Sequence, residues 1–165
     1  MLLPIILTLA FLPQPADNTI PPAPATVRYT TVGNGVQIYR CTGTSAPAPP
    51  AFQWVFQSPE ATLVDPSTGK DLAKHSAGPT WTWTDGSAIT GKLLQKHPAA
   101  NPADIPWLLL EAHSIGQAGA LSDIAFVRRS NTQAGQAPTD GCDAAHLDNV
   151  IRVPYQATYT FYTAK

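Results

Sequence analysis

The stretch that decides the fold is IRVPYQATYTFYT, residues 151–163. Apolar and polar side chains alternate along it. Successive side chains of a β-strand point to opposite faces, so this period of two predicts a strand with one buried face and one solvent-facing face. The first face carries Val153, Tyr155, Ala157, Tyr159 and Phe161, and the second carries Arg152, Gln156, Thr158 and Thr160.

The same signals recur upstream. Asp-Pro-Ser-Thr-Gly at 65–69 predicts a turn that joins strands at about 60–65 and 70–75. Asp85-Gly86, which follows TWTWT, predicts a tight hairpin. FQWVFQ (52–57) is dense in aromatic and β-branched residues, which predicts a strand buried on both faces. The chain is therefore predicted to be all-β: a single-domain antiparallel β-sandwich or barrel of about nine or ten short strands, with little helix.

The amino-acid composition argues against long helices and against a nucleic-acid partner. The 165 residues include 17 prolines and 11 glycines, which argue against long helices. Lysines and arginines total 10 against 11 acidic residues, and Arg128-Arg129 are the only adjacent cations. Because a nucleic-acid interface needs clustered cations, we expect no nucleic-acid partner.

The first sixteen residues, MLLPIILTLAFLPQPA, hold an apolar run without a charged side chain. They predict a signal peptide (1–16) followed by a Pro-rich leader (17–26) and a β-domain (27–165); an apolar N-terminal strand is the alternative. The run is shorter than the ~20 residues that span a bilayer, so no transmembrane segment is expected. The expected location is secreted or periplasmic.

Cys41 and Cys142 are the only two cysteines. In an exported protein they most simply form one disulfide. The alternatives are a catalytic thiol or a metal pair, but two cysteines about 100 residues apart have no local redox or zinc spacing.

Several motifs occur together in a fixed order: GNGVQIYRC, HSAGPTW followed by DGS, IPWLLLEA, RRSNTQAGQAPTDGC and VPYQATYTFY. This order resembles the bacterial and fungal secreted family catalogued as domain of unknown function 3455, from about Val27 to Tyr162. The resemblance implies a secreted β-rich domain with paired cysteines and implies no activity. The chain departs from the family at Ala134, where the family's turn usually has the first of two glycines.

The stretch 74–92 contains the first candidate site residues. Trp81 and Trp83 lie two apart on a strand and so share one face. They are either core residues or an exposed aromatic platform on which a sugar could stack. His75 ends a strand before the Gly78-Pro79 bend, where its imidazole either bonds to the backbone or faces a ligand.

Arg128, Arg129, Asn131 and Thr132 form the strongest polar cluster. Planar guanidinium groups could hold an anionic or hydroxylated ligand through bidentate bonds. Alternatively, one arginine fixes a loop by pairing with Asp140 or Asp143. If a ligand site exists, we expect it where residues 75–81 meet the strand that carries the two arginines.

No catalytic or metal-binding spacing is visible. The four histidines lack the spacing of a metal site, and no G-x-S-x-G elbow is present. No cofactor is predicted, although the fold could assemble a metal site. Two functions remain: a binding or structural module for a polysaccharide or other polar ligand, and, as the alternative, a small exported hydrolase or metal-dependent enzyme centred on His75.

Overall fold

The computed structural model describes residues 16–44 and 51–164. They form eight strands and one short 3-10 helix. The strands are β1 (Thr26–Thr44), β2 (Ala51–Val64), β3 (Asp71–Ser76), β4 (Thr80–Trp83), β5 (Ala88–His97), β6 (Trp107–Ile115), β7 (Phe126–Ala134) and β8 (Val150–Thr163), and the 3-10 helix is Ala144–His146.

Each strand pairs antiparallel with the next, and β8 returns to pair with β1, which closes the sheet into a barrel. The predicted all-β antiparallel fold is confirmed, and of the two predicted architectures, sandwich or barrel, the structure is the barrel. The predicted number of strands was too high. The strands predicted at 52–57 and about 60–65 are one long strand, Ala51–Val64, because it continues through a β-bulge at Gln57.

The prediction that FQWVFQ is buried on both faces was wrong. Gln53 and Gln57 are exposed, and Phe56 keeps 48% of its surface accessible. β2 pairs with β3 only from Ala61 onward, so its first half has β1 as its single strand partner among the described residues. With one neighbouring strand, this half of β2 is covered only in part: Phe52, Trp54 and Val55 are half-buried, and the Trp54 indole donates to the Asp140 carbonyl oxygen.

The core fills the barrel interior. Tyr155, Ala157, Tyr159 and Phe161 of β8 are all buried, as their alternation predicts. At one end of the barrel the β6–β7 connection packs Leu121 and Ile124 into the interior. We call this the packed end. The connections after β3, β5 and β7 lie at the opposite end, because alternate strands of a meander point the same way.

The predicted disulfide is present. Cys41 of β1 is bonded to Cys142 in the β7–β8 connection, and Cys41 is fully buried. Within residues 16–44 and 51–164, no helix is long and apolar enough to span a membrane.

The N-terminal predictions fall at the edge of the described chain. Residues 1–15 of the predicted signal peptide lie outside it. The leader packs against the barrel at its start: the Asp17 carboxylate lies 2.6 Å from an Arg128 nitrogen, and Thr19 is fully buried.

Replacing both cysteines by serine (Cys41→Ser with Cys142→Ser) should lower the free energy of unfolding by about 2–5 kcal/mol, because the bond closes a long loop in the unfolded chain. Urea unfolding with and without reductant measures this. Reductant should destabilise the wild type and leave the double variant unchanged. An equal stability of the two oxidised proteins would contradict the prediction.

Ala134 has a φ of 57°, in the left-handed region that an L-residue adopts at a cost. Glycine removes this cost, but it also increases the conformational entropy of the unfolded chain, which offsets part of the gain. Ala134→Gly should therefore raise the free energy of unfolding by roughly 0.5–1 kcal/mol. Gly135→Ala is the matched control. Its φ is 89° and an added Cβ would lie 2.7 Å from Tyr155, so it should destabilise. Thermal or urea unfolding of the two variants measures both changes, and an Ala134→Gly variant less stable than the wild type would contradict the prediction.

Candidate functional site

A cavity of about 180 Å³ lies in the half of the barrel opposite the packed end. Its walls are mainly apolar. They are formed by Phe56, Gln57, Pro59, His75, Gly78, Pro79, Trp81, Leu93, Leu108, Leu110, Arg129 and Tyr159. The structure therefore brings three sequence-predicted site residues, His75, Trp81 and Arg129, to one cavity.

The cavity opens through a notch in the barrel wall. The β3–β4 hairpin is short and turns at Gly78-Pro79. β4 pairs with β5 only as far as Thr90, and β2 pairs with β3 only from Ala61. The two longer strands therefore extend past the hairpin and leave a gap between them. We call this gap the notch; its sides carry Phe56 of β2 and Leu93 of β5.

His75 and Trp81 are directly paired on β3 and β4. Their rings stack with centroids 4.5 Å apart and planes only 4° apart. The Trp81 ring fits because β5 has glycine at position 91, where a Cβ would lie 2.9 Å from the ring. Backbone pairing thus fixes one flat aromatic wall of the cavity.

The His75 imidazole is neutral at physiological pH. It is 4% exposed, and this burial, together with the nearby Arg129 charge, lowers its pKa to about 4. Nδ1 lies 3.0 Å from the Thr80 carbonyl oxygen. Because a carbonyl oxygen only accepts, Nδ1 carries the proton and donates it, which leaves the Nε2 lone pair as an acceptor.

Arg129 is a buried cation. It is 8% exposed, and two of its N–H groups donate to the Pro106 carbonyl oxygen at 3.2 and 2.8 Å. Within residues 16–44 and 51–164 no carboxylate forms an ion pair with it. A guanidinium has five N–H donors, so others remain for a further acceptor. The site therefore holds a positive charge that the described protein does not neutralise.

Two tyrosines complete the polar part of the interior. The Tyr155 and Tyr159 hydroxyls lie 2.9 Å apart, and burial raises the pKa of both phenols, which keeps them neutral. The Arg129 charge opposes this rise at Tyr159. In addition, the buried Nε1 of Trp81 has no hydrogen-bond partner in the described chain. Hydroxyl and indole donors thus accompany the cation.

The other predicted site residues lie elsewhere. Arg128 points to the outside of β7, where it binds Asp17 and Thr19. Trp83 is a core residue that packs against Phe161 and Tyr29. Asn131 is exposed and its amide donates to the Thr158 hydroxyl at 3.4 Å.

The alternative that one arginine pairs with Asp140 or Asp143 was wrong, because neither aspartate forms an ion pair with Arg128 or Arg129 in the described chain. Arg128 binds Asp17, and Asp143 accepts hydrogen bonds from its own turn and contacts His146. As predicted, the structure brings residues 75–81 close to the strand that carries the two arginines. Of the two, only Arg129 lines the shared cavity. A ligand role for any of these residues stays a prediction.

Sequence analysis did not identify the leucines of the cavity wall, Phe56 or Tyr159 as site residues. Phe56 and Leu93 each adjoin a bulge, at Gln57 in β2 and Leu94 in β5, where one strand has an extra residue. Bulges redirect side chains and often border functional sites. Pro59 follows the β2 bulge by two residues, and a proline inside a strand is the one local signal that could have indicated it.

No group of three or more metal-ligating side chains occurs in the described part of the chain. His113 and His146 instead contact single carboxylates, Glu111 and Asp143 respectively.

The low pKa of His75 predicts a pH-dependent stability. The imidazole of the unfolded chain takes up a proton near the ordinary histidine pKa of 6.5, whereas the folded protein resists protonation until about pH 4. The unfolded state therefore binds more protons in this range, and the free energy of unfolding should fall by on the order of 3 kcal/mol as the pH drops from about 6.5 to 4.

Chemical unfolding at a series of pH values tests this. His75→Phe, which keeps an aromatic ring against Trp81, should remove most of the slope. His113→Gln removes a solvent-exposed imidazole and is the control that should retain the slope. A slope that survives in His75→Phe would contradict the assignment.

No curated protein and no solved structure matches the chain. A family model described as "Protein of unknown function (DUF3455)" matches residues 22–163. The match begins in the proline-rich segment and contains all eight strands and both cysteines. The chain therefore belongs to the DUF3455 family.

Proposed function

We propose that this protein is a binding module that holds a small anion with an apolar body inside its barrel. The observation that carries the proposal is Arg129, a buried guanidinium without a carboxylate partner in the described chain, on the wall of a mainly apolar cavity. A buried charge is costly unless it is paired. An anionic ligand would supply the missing charge, and its apolar body would cover the leucine and tryptophan walls.

The lining favours a carboxylate or a similar planar anion. A guanidinium offers parallel N–H donors that match the two oxygens of a carboxylate. Neutral His75 adds no second charge at pH 7, so a ligand with a single negative charge gives the best match. The flat Trp81–His75 wall suits an aromatic or extended chain.

Polysaccharide binding has less support. Trp81 and Trp83 are 1% and 9% exposed, so they do not form the exposed aromatic platform on which a polysaccharide could stack. The enzyme alternative also has less support, because His75 donates to a backbone carbonyl and the lining includes neither a carboxylate nor a serine or cysteine nucleophile.

We also infer a location outside the cytoplasm. The Cys41–Cys142 bond supports an oxidising compartment, and the apolar N-terminal run supports export.

Isothermal titration calorimetry with hexanoate tests the proposal. Wild-type protein should bind hexanoate and bind hexanol much more weakly. Arg129→Met should weaken hexanoate binding by at least about 30-fold, which is the size expected when a buried charge pair loses one partner. The variant should still fold, because an apolar residue of similar volume commonly replaces a buried charge without loss of stability.

Arg128→Met is the matched control. It removes the neighbouring cation, which lies outside the barrel and pairs with Asp17, so hexanoate binding should stay within about twofold of wild type. Equal binding of acid and alcohol, equal loss in the two variants, or no binding at all would contradict the proposed function.

A further inference from the structure

The notch is a second part of the cavity, separate from the proposed contact of the anion with Arg129. Phe56 and Leu93 line the cavity and still expose 48% and 52% of their surfaces. The Gly78-Pro79 turn lines the same cavity. The cavity lining therefore includes both buried residues of the interior and half-exposed apolar residues at the barrel surface.

Both sides of the notch are shaped by bulges. The extra residue of β2 is Gln57, beside Phe56, and the extra residue of β5 is Leu94, beside Leu93. Leu94 is itself 41% exposed. Large apolar side chains exposed together at the mouth of a cavity are typical of a surface that a ligand covers.

The size of the cavity limits what it holds. A protein cavity of ~150 Å³ accommodates a benzene molecule, which has six carbon atoms. The present cavity, at about 180 Å³, is only slightly larger. A ligand with more than about seven carbons must extend through the notch and contact its rim.

We propose that the ligand class is the medium-chain, unbranched carboxylic acids. This inference rests on the proposed function. The carboxylate binds Arg129, the first carbons fill the cavity beside Trp81, and the rest of the chain leaves through the notch between Phe56 and Leu93. The observation that carries it is that one cavity is lined both by the buried cation Arg129 and by the half-exposed apolar residues Phe56 and Leu93.

A series of hexanoate, octanoate and decanoate, each kept below its micelle concentration, tests the class by calorimetry. Burying a methylene contributes about 0.8 kcal/mol, and a partly exposed rim gives less. Affinity should therefore rise about two- to fourfold for each added methylene. Decanoate should bind at least about 15-fold more tightly than hexanoate.

Variants at the rim separate the tail contact from the anion contact. Leu93→Ser and Phe56→Ser should weaken decanoate binding by about tenfold and hexanoate binding by clearly less, because only the longer chain reaches past the cavity to the exposed parts of these two side chains. Leu147→Ser is the matched control, because Leu147 is 49% exposed and is not among the cavity-lining residues. It should leave the whole series unchanged.

The outcomes distinguish a failure of the proposed ligand class from a failure of the proposed function. Hexanoate binding that depends on Arg129 but does not strengthen with chain length would overturn the ligand class and leave the proposed function standing. A gain with chain length that persists in Leu93→Ser and Phe56→Ser would overturn the path through the notch. Decanol binding as tight as decanoate, unchanged in Arg129→Met, would overturn the proposed function as well.

Discussion

The pairing of β1 with β8 is the constraint on which the rest of the structure depends. The register runs from Thr26–Thr163 to Arg40–Val150, and it turns an open meander into a barrel. Closure removes the two outer edges of the sheet and defines an inside. Every interior position follows from it, including those of Arg129 and Tyr159, because β7 sits between β6 and β8 in the closed order. The disulfide ties β1 to the β7–β8 connection beside this seam.

Closure also makes the shortest strands important. β3 and β4 are six and four residues long, while their outer neighbours are 14 and 10. In an open sheet, such a difference in strand length would only leave the strand ends uneven. In a closed barrel it leaves an opening in the wall. The half of the barrel that Leu121 and Ile124 fill can be a conventional core, and the half beside the notch can hold the polar groups.

The sequence predicted the class of fold because its main signals are local. Strict alternation in residues 151–163, the turn at 65–69 and the hairpin at Asp85-Gly86 each depend on a few neighbouring residues. The cysteine pairing followed from their number and the exported context. The strand count and the burial of residues 52–57 were wrong, because the extra residue at Gln57 and the missing second neighbour of β2 are properties of the sheet.

The site was predictable only in part, for the same reason. His75 was identified by its position before a Gly-Pro bend, and alternation implies that Arg128 and Arg129 point opposite ways. Which of the two points inward depends on the register of β7 against β8, where Arg129 pairs with buried Tyr159. The convergence of Phe56, Leu93 and Leu110 depends on barrel closure and two bulges, and no spacing in the chain encodes it.

The energetics of Arg129 connect stability to binding. Removing a guanidinium from water costs several kcal/mol, and the two bonds to the Pro106 carbonyl recover only a part of this. A neutral histidine and two neutral phenols surround the charge without cancelling it. An interior built for stability alone would place an apolar residue at this position. An anion that enters the barrel supplies the counter-charge to a site that is already desolvated, where the attraction is stronger than in water. The free protein therefore bears a cost that the complex would not, and this difference favours anionic over neutral ligands with the same apolar body.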